Sequence, residues 1–179
     1  ANDIITSLKV ETKQDIMKAP TANAEAYEYY LRANYIYDKR ENLKDTEVAR
    51  GLFKKAIELD DKLIKTKNAL GWSYYETGDY DKAMEIYTPA LKQAEEIGDK
   101  RGMGSSLNNI GSVHHDKGDY DKALDYFARS LAIKEELGDK RGMGSSLNNI
   151  GIVHHNKGDY DKALDYYGRS LAIDEELGD

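Results

Sequence analysis

The sequence predicts an all-α solenoid built from stacked helix pairs, and three observations support this prediction. The stretch GDKRGMGSSLNNIG occupies residues 98–111 and recurs letter for letter at 138–151, a step of 40 residues. Within each copy, apolar and small residues follow the i, i+3, i+4, i+7 spacing of a buried helix face. A Gly-Asp pair separates neighbouring candidate helices. Repeats of this length are typical of solenoids, because each unit buries its apolar face only against its neighbours.

The unit at residues 98–137 shows how each helix pair is specified. The stripe of its first helix is formed by Leu107, Ile110, Gly111 and His114. Gly118 is expected to end that helix, and Asp119 is placed to cap the second. The second helix is predicted to bury Tyr120, Ala123, Leu124, Phe127 and Leu131. Gly138 then ends the pair and begins the next copy.

Two looser copies precede the near-identical ones. LGWSYYETGDYDKAMEIYTPAL at residues 70–91 aligns with a step of 40, and EVARGLFKKAIELD at 47–60 precedes it by 34. Because the later step is longer by six residues, both helices at that junction should gain most of a turn. In the first unit the polar insert DKRENLKDT, residues 38–46, is predicted to lengthen the loop between the helices.

These units resemble the tetratricopeptide repeat family, whose pattern is W-x-x-L-G-x-x-Y, then A-x-x-x-F, then P. The matching residues are Lys67, Leu70, Gly71, Tyr74, Ala83 and Tyr87, then Leu107, Ile110, Gly111, His114, Ala123 and Phe127, then Leu147, Ile150, Gly151, His154, Ala163 and Tyr167. The closing proline is absent. The 40-residue form is similar to the repeats of kinesin light chains and of Pins-type spindle-orientation adaptors. The resemblance implies a right-handed α-α superhelix whose first helices line a concave groove.

The chain is predicted to divide into a lead-in and a repeat domain. Residues 1–22 resemble the segment that precedes the repeats of bacterial multidomain signalling proteins. Residues 23–179 form the domain, with repeats at about 23–60, 61–97, 98–137 and 138–179. Thr21 or Asn23 is expected to cap the first helix after Pro20.

Composition limits the possible functions. The 179 residues contain 33 Asp and Glu against 26 Lys and Arg, a net charge of -7, which argues against a nucleic-acid partner. There is no cysteine, and no apolar run is long enough for a membrane helix. No motif of an enzyme occurs, and GMGSS opens a helix and does not follow a strand. We therefore expect a cytoplasmic, non-catalytic protein without a cofactor, a membrane contact or a nucleic-acid ligand.

The groove should be lined by first-helix residues that point away from the buried stripe at about 100° per residue. These are Asn68, Trp72, Tyr75, Arg101, Asn108, Asn109, Ser112, His115, Arg141, Asn148, Asn149, Ile152 and His155. An asparagine side chain both donates and accepts hydrogen bonds. The family resemblance implies that Asn109 and Asn149 hold the backbone of an extended peptide. In an alternative interpretation, these asparagines cap or bridge neighbouring helices of the solenoid.

The histidine pairs at 114–115 and 154–155 suggest a metal site, but the spacing disfavours one. Adjacent helical residues point about 100° apart, so one pair cannot converge on one ion. His114 and His154 occupy the tyrosine position of the repeat and are expected to be buried and hydrogen-bonded. His115 and His155 are expected to line the groove, where they would be sensitive to pH. We predict no metal.

Other groove residues are expected to select the ligand. Trp72 is either an aromatic anchor for a partner or part of the core. Two of the five differences between the near-identical copies, Ser112/Ile152 and Asp116/Asn156, fall on the groove face, as expected of a binding surface. Arg101 and Arg141 either attract an acidic peptide at the groove rim or pair with nearby carboxylates.

The sequence thus predicts a protein-interaction module that holds an extended peptide or partner helix in its groove. In one alternative the repeats are a spacer that self-associates end to end, because no polar capping helix follows Leu177. In another alternative they regulate a catalytic domain, such as a nucleotide cyclase, in a larger protein.

Overall fold

The computed structural model describes residues 21–178, which form eight α-helices and no strand. The helices form four antiparallel pairs: α1 (Ala24–Asp38) with α2 (Leu43–Leu59), α3 (Ile64–Tyr75) with α4 (Tyr80–Ile97), α5 (Lys100–Asp116) with α6 (Tyr120–Leu137), and α7 (Lys140–Asn156) with α8 (Tyr160–Leu177). The all-α prediction is therefore confirmed. The predicted lead-in, residues 1–22, lies almost wholly outside the described residues.

Caps and glycines set the ends of the helices. Asn23 begins α1, because its side chain accepts a hydrogen bond from the backbone N–H of Ala26 at 3.1 Å. Helices α4, α6 and α8 end at glycines with φ of 71°, 64° and 76°. A glycine with positive φ recurs every 20 residues from Gly78 to Gly178. Another residue type would be strained there, so these glycines fix where each helix stops.

The polar insert of the first unit does not lengthen the loop, and that prediction is wrong: only residues 39–42 connect the two helices, as many as residues 76–79 in the next unit, and the rest of the insert is helical. Helix α1 continues to Asp38, and α2 begins at Leu43 after Asn42, whose side chain accepts a hydrogen bond from the N–H of Asp45. The inserted residues therefore lengthen the helices, because four residues add about one helical turn. The lengthening predicted for both helices is confirmed only for the first helices: α3 has 12 residues, whereas α5 and α7 have 17 each. The second helices gain only one residue, from 17 in α2 to 18 in α4, α6 and α8.

The core includes two equivalent interfaces between successive units, besides buried clusters around Phe53 and around Ile64. In one, the α4 residues Ala83, Tyr87 and Leu91 pack against the α5 residues Leu107, Ile110 and Val113. In the other, the α6 residues Ala123, Phe127 and Leu131 pack against the α7 residues Leu147, Ile150 and Val153. Within a pair the helices cross closely at glycine: a Cβ on Gly111 would lie 2.7 Å from Phe127 Cε1.

The first helices lie on the inner side of the curved stack. Helix α5 contacts both α3 and α7, whereas within residues 21–178 the second helices share no contact of similar extent. Because the first helices are the more closely spaced row, their free side is the concave one. We call this side of α3, α5 and α7 the inner face.

Candidate functional site

The inner face carries a row of mostly polar side chains. They are Lys65, Asn68, Trp72 and Tyr75 on α3, Ser105, Asn108, Asn109, Ser112 and His115 on α5, and Ser145, Asn148, Asn149, Ile152 and His155 on α7. All except Asn68 are half-buried or exposed. They are therefore accessible to a ligand that follows the groove.

Asn68 is buried: it lines the bottom of the cavity between α3 and α5, but its amide bonds within the solenoid. Only 6% of the surface of Asn68 is exposed. Its Nδ2 donates a hydrogen bond to the carbonyl of Gly102, and its Oδ1 accepts one from Ser106 Oγ at 2.9 Å. Because Gly102 and Ser106 are small, α5 can lie close to α3 at the side-chain amide of Asn68. Asn68 is thus a bridge between two units.

Of the four asparagines on α5 and α7, two form a hydrogen bond between the helices and two do not. Asn149 Nδ2 donates to Asn108 Oδ1 at 3.1 Å, so this pair links the two helices, as the bridging interpretation predicts. The Oδ1 of Asn149 and the Nδ2 of Asn108 remain available. Asn109 and Asn148 make no side-chain hydrogen bond with another residue of the described range. Asn109 is half-buried, whereas Asn148 is exposed.

Tyr75 and His115 bridge consecutive first helices near their C-terminal ends. Tyr75 Oη donates to Asp116 Oδ2 at 2.7 Å, and burial together with this carboxylate raises the pKa of the phenol. His115 Nε2 lies 2.8 Å from Asn156 Nδ2, and its Nδ1 lies 2.8 Å from Asp116 Oδ1. An amide can only donate through Nδ2, so neutral His115 carries its proton on Nδ1. His115 therefore accepts a hydrogen bond from Asn156 of the next unit.

The histidines at the tyrosine position of the repeat are hydrogen-bonded, as predicted, but half-buried. His114 stacks on Tyr126 with ring centroids 5.4 Å apart, and its Nδ1 lies 3.2 Å from Asp119 Oδ2. This hydrogen bond lowers the pKa of Asp119. Asp119 is the N-cap residue of α6, but its carboxylate makes no capping hydrogen bond. The predicted side-chain cap is therefore wrong, because the histidine uses the same carboxylate.

A basic cavity of about 460 Å³ opens on the inner face between the N-terminal ends of α3 and α5. Lys62, Lys65 and Arg101 line it, and the carboxylate of Asp99 caps α5 by accepting from the N–H of Gly102 at 2.9 Å. Lys65 also lies 4.2 Å above two tyrosine rings of α1. Arg101 thus lies at the edge of the groove, and Arg141 is its exposed counterpart on α7.

One position of the first helix varies in size from unit to unit. Trp72 on α3 is half-buried and packs on Tyr75 at 4.8 Å between ring centroids. Ser112 on α5 donates its hydroxyl to the carbonyl of Asn108 at 3.2 Å. Ile152 on α7 is half-buried. A large aromatic, a small hydroxyl and a branched aliphatic residue therefore follow one another along the groove.

Sequence reasoning missed one contributor to this face, Lys62, which precedes α3 and lines the basic cavity. Asp116 and Asn156 were expected on the groove face, and they hold Tyr75 and His115 in place.

Four helix pairs with polar amides along a concave face define the class of helical-repeat solenoids. Two models of the tetratricopeptide repeat match the chain, at residues 64–96 and 102–176, and together they cover more than half of it. The chain belongs to the tetratricopeptide repeat family, which makes it a protein-interaction module in general terms. Members of this family are typically non-catalytic.

Solved structures confirm the fold. BtubC (BKLC) from P. vanneervenii is 21% identical, with a TM-score of 0.72, over 95% of this chain and 73% of that one. Aspartyl phosphate phosphatase F from Bacillus subtilis is 21% identical, with a TM-score of 0.77, over 98% of this chain and 46% of its own. A Rap protein complexed with competence and sporulation factor is 22% identical, with a TM-score of 0.74 and coverages of 93% and 47%. At this identity the likeness shows the fold alone.

The chain spans about half the length of the last two of these proteins. No curated protein matches its sequence. Among the described helices, none combines the length and the apolar character needed to cross a membrane.

Proposed function

We propose that the inner face binds an extended peptide of a protein partner, with Asn109 and Asn149 contacting its backbone. The observation that carries this proposal is the position and the hydrogen bonding of the Asn109 side chain. It is half-buried near the middle of the inner face and has no side-chain hydrogen bond within the described chain. Its amide is therefore free to bind a ligand, and a peptide backbone supplies both an acceptor for its Nδ2 and a donor for its Oδ1.

The bond between Asn149 and Asn108 prepares the neighbouring amides for the same ligand. Because Asn149 Nδ2 is held by Asn108 Oδ1, both side chains are fixed before a ligand arrives. Asn149 then offers an acceptor and Asn108 a donor, which matches the alternating C=O and N–H groups of an extended backbone. Such preorganisation lowers the entropy cost of binding and requires no particular ligand sequence.

Selectivity for the partner would come from the side chains around these amides. Trp72 is the largest side chain of the inner face and is half-buried against the core, and aromatic residues of this kind dominate many binding energies. The small Ser112 on α5 leaves space next to Trp72 for a ligand side chain, and Ile152 offers an apolar contact on α7. Arg101 and Arg141 favour acidic residues at the groove edge, while Tyr75, His115 and His155 offer polar contacts. Asn148 is exposed next to Asn149 and extends the amide row.

Capture of the partner from a lysate of the source organism tests this proposal. The bait is the 179-residue chain, compared with its Asn109→Ala/Asn149→Ala variant, and the captured peptide is then titrated by calorimetry. Loss of two hydrogen bonds at about 1.5 kcal/mol each should weaken binding by about 100-fold. A Lys54→Ala/Lys92→Ala variant, truncated at two exposed positions of α2 and α4, serves as the control. Equal affinity of the asparagine variant and the parent would rule out backbone contact by these amides.

A further inference from the structure

The basic cavity between α3 and α5 has a charge that contact with a peptide backbone does not use. Its volume is about 460 Å³, and Lys62, Lys65 and Arg101 bring three positive charges to its wall. Asp99 is the one acidic residue that the described chain contributes to it. Three positive charges against one negative charge leave a net charge of +2 in the cavity, although the whole chain carries -7.

Two of these cations have no anion of their own. The side chains of Lys62 and Arg101 make no hydrogen bond or ion pair with another residue of the described chain. Lys100, which directly precedes Arg101, bonds Glu136. In a chain with 33 acidic and 26 basic residues, two cations without a carboxylate on one wall can attract an external anion.

A hydroxyl group on the same wall also has no partner. Ser105 is exposed, and its hydroxyl makes no hydrogen bond with another described residue. Ser145, at the same position of α7, donates to the carbonyl of Arg141 at 3.1 Å. The cavity wall therefore offers three different donors: a hydroxyl, the ammonium of Lys62 and the guanidinium of Arg101.

Two aromatic rings of α1 hold the third cation beside this wall. Lys65 Nζ lies 4.2 Å from the ring centroids of both Tyr27 and Tyr30, and it donates to Tyr27 Oη at 3.1 Å. These contacts restrict the rotamers of the lysine side chain. Because a tyrosine ring carries no formal charge, they leave the positive charge of Lys65 uncompensated.

The same cations do not recur at the next junction of the solenoid. Forty residues after Lys62 and Lys65 the chain has Gly102 and Ser105, so these positions bring no ammonium group to the junction of α5 and α7. If helix packing required the two lysines, the near-identical units would be expected to carry them as well. The basic cavity is therefore a local feature of the inner face and not a part of the repeat.

We propose that this cavity binds the phosphate group of a phosphorylated serine or threonine residue in the peptide that the inner face holds. The proposal rests on the proposed function for the peptide, and on the cavity for the phosphate. A phosphomonoester carries about -1.5 to -2 charges at pH 7 and three acceptor oxygens, so it matches both the net charge and the donors of the wall. A carboxylate brings a single charge and two oxygens.

The place of the cavity on α5 sets the position of the phosphorylated residue in the peptide. Ser105 and Arg101 precede Asn109 by four and eight residues, which corresponds to about 6–12 Å along the helix. An extended peptide covers about 3.3 Å per residue. The phosphorylated residue should therefore lie about two to four residues from the one whose backbone contacts Asn109.

Three labelled peptides added to the 179-residue chain test the proposal by fluorescence anisotropy. Each has a central phosphoserine, glutamate or serine with four alanines on either side, so that Asn109 is within reach in either chain direction. We expect the phosphoserine peptide to bind about tenfold more tightly than the serine peptide, with the glutamate peptide between them, as two or three exposed ion pairs allow. Inorganic phosphate should displace the phosphoserine peptide, but with an affinity about tenfold lower, because it cannot also bond the asparagines.

Two double variants locate the phosphate. Lys62→Gln/Arg101→Gln should abolish the preference for phosphoserine, and circular dichroism should show an unchanged helix content because both residues are exposed. Lys44→Gln/Lys54→Gln removes the same charge from two exposed positions of α2. It is the matched control and should keep the tenfold preference.

The Asn109→Ala variant separates this proposal from the function on which it rests. If both hold, the variant binds the phosphoserine peptide about tenfold more weakly but keeps its affinity for N-acetyl-phosphoserine amide, which fills the cavity alone. If the variant binds both compounds as the parent does and still prefers phosphoserine to serine, contact of Asn109 with the backbone is refuted and the phosphate site is supported.

Three results would overturn the phosphate site. In the first, the three peptides bind with equal affinity. In the second, Lys62→Gln/Arg101→Gln keeps the preference for phosphoserine. In the third, inorganic phosphate binds as tightly as the phosphoserine peptide, so that a free anion and not a residue of a peptide is the occupant.

Discussion

Replacing Tyr87 with phenylalanine is expected to stabilise the protein, although the change removes only one atom. Tyr87 is 0% exposed, and its hydroxyl oxygen is buried without a hydrogen-bond partner among the described residues. The same burial raises the pKa of this phenol. A buried hydroxyl without a partner costs about 1–3 kcal/mol relative to its hydrated state in the unfolded chain. Removing the oxygen removes that cost.

The gain is reduced by the space that the oxygen leaves. A void of roughly 15 Å³ at ~24 cal/mol per Å³ costs about 0.4 kcal/mol, so the net stabilisation is about 1–2 kcal/mol. The chain contains its own precedent for the substitution. Phe127 occupies the same position of the next unit, is 2% exposed, and packs against the equivalent Leu, Ile and Val residues of α7.

Urea unfolding followed by far-ultraviolet circular dichroism measures this difference. Tyr167→Phe is the matched control, because Tyr167 holds the same position in the last unit but is only half-buried. Its hydroxyl reaches water, and its removal should change stability by less than about 0.5 kcal/mol. Helical-repeat arrays do not always unfold in two states, so midpoints are compared only where the m-values agree. If Tyr87→Phe proves neutral or destabilising, the hydroxyl has a partner such as a buried water, and the reasoning is wrong.

Two other substitutions test the packing and the buried charge. Gly111→Ala places a Cβ 2.7 Å from Phe127 Cε1, so urea unfolding should show the protein destabilised by about 1–3 kcal/mol. Gly51→Ala is the control: a Cβ there has no atom within 4 Å, and the variant should be more stable by up to about 1 kcal/mol. If the two variants respond alike, the close crossing is not what selects glycine. Lys134→Met removes a buried ammonium group whose hydrogen bond is to Ser146, and should stabilise by about 1–2 kcal/mol at pH 7. Burial lowers the pKa of Lys134 in the folded protein below its value in the unfolded chain. The parent protein therefore gains stability as the pH rises from the lowered pKa to the ordinary one, and the stability advantage of Lys134→Met should shrink over that range. An advantage that stays constant up to pH 10 would contradict this account.

The features that sequence predicted are those specified by neighbouring residues. The repeat period, the apolar stripe of each helix and the glycine stops need only the local pattern, and all of them are present in the structure. The close crossing at Gly111 was also predictable, because a glycine inside a helix and an aromatic 16 residues later recur together. The insert at residues 38–46 was misjudged because its polar composition resembles a loop, while its excess of four residues fits one helical turn.

The features that sequence missed depend on which side chains meet across the stack. Asn68 was expected in the groove, but its partners lie 34 and 38 residues away on α5. Asp119 was expected to cap α6, but His114 takes its carboxylate. Lys134 was not singled out, because its burial depends on α7 covering it. Helical periodicity predicts the direction of a side chain but not which residue of another helix it contacts.

The identical stretches at 98–111 and 138–151 make the number of repeats adjustable. A chain lacking residues 99–138 would still read GDKRGMGSSLNNIG at the new junction. Helix α7 would then follow α4 through the same left-handed glycine turn and would offer it the same Leu, Ile and Val that α5 offers now. Recombination between the two copies can therefore delete or add a whole unit without creating a new interface. For such a protein, the length of the solenoid is a trait that evolution can change in one step.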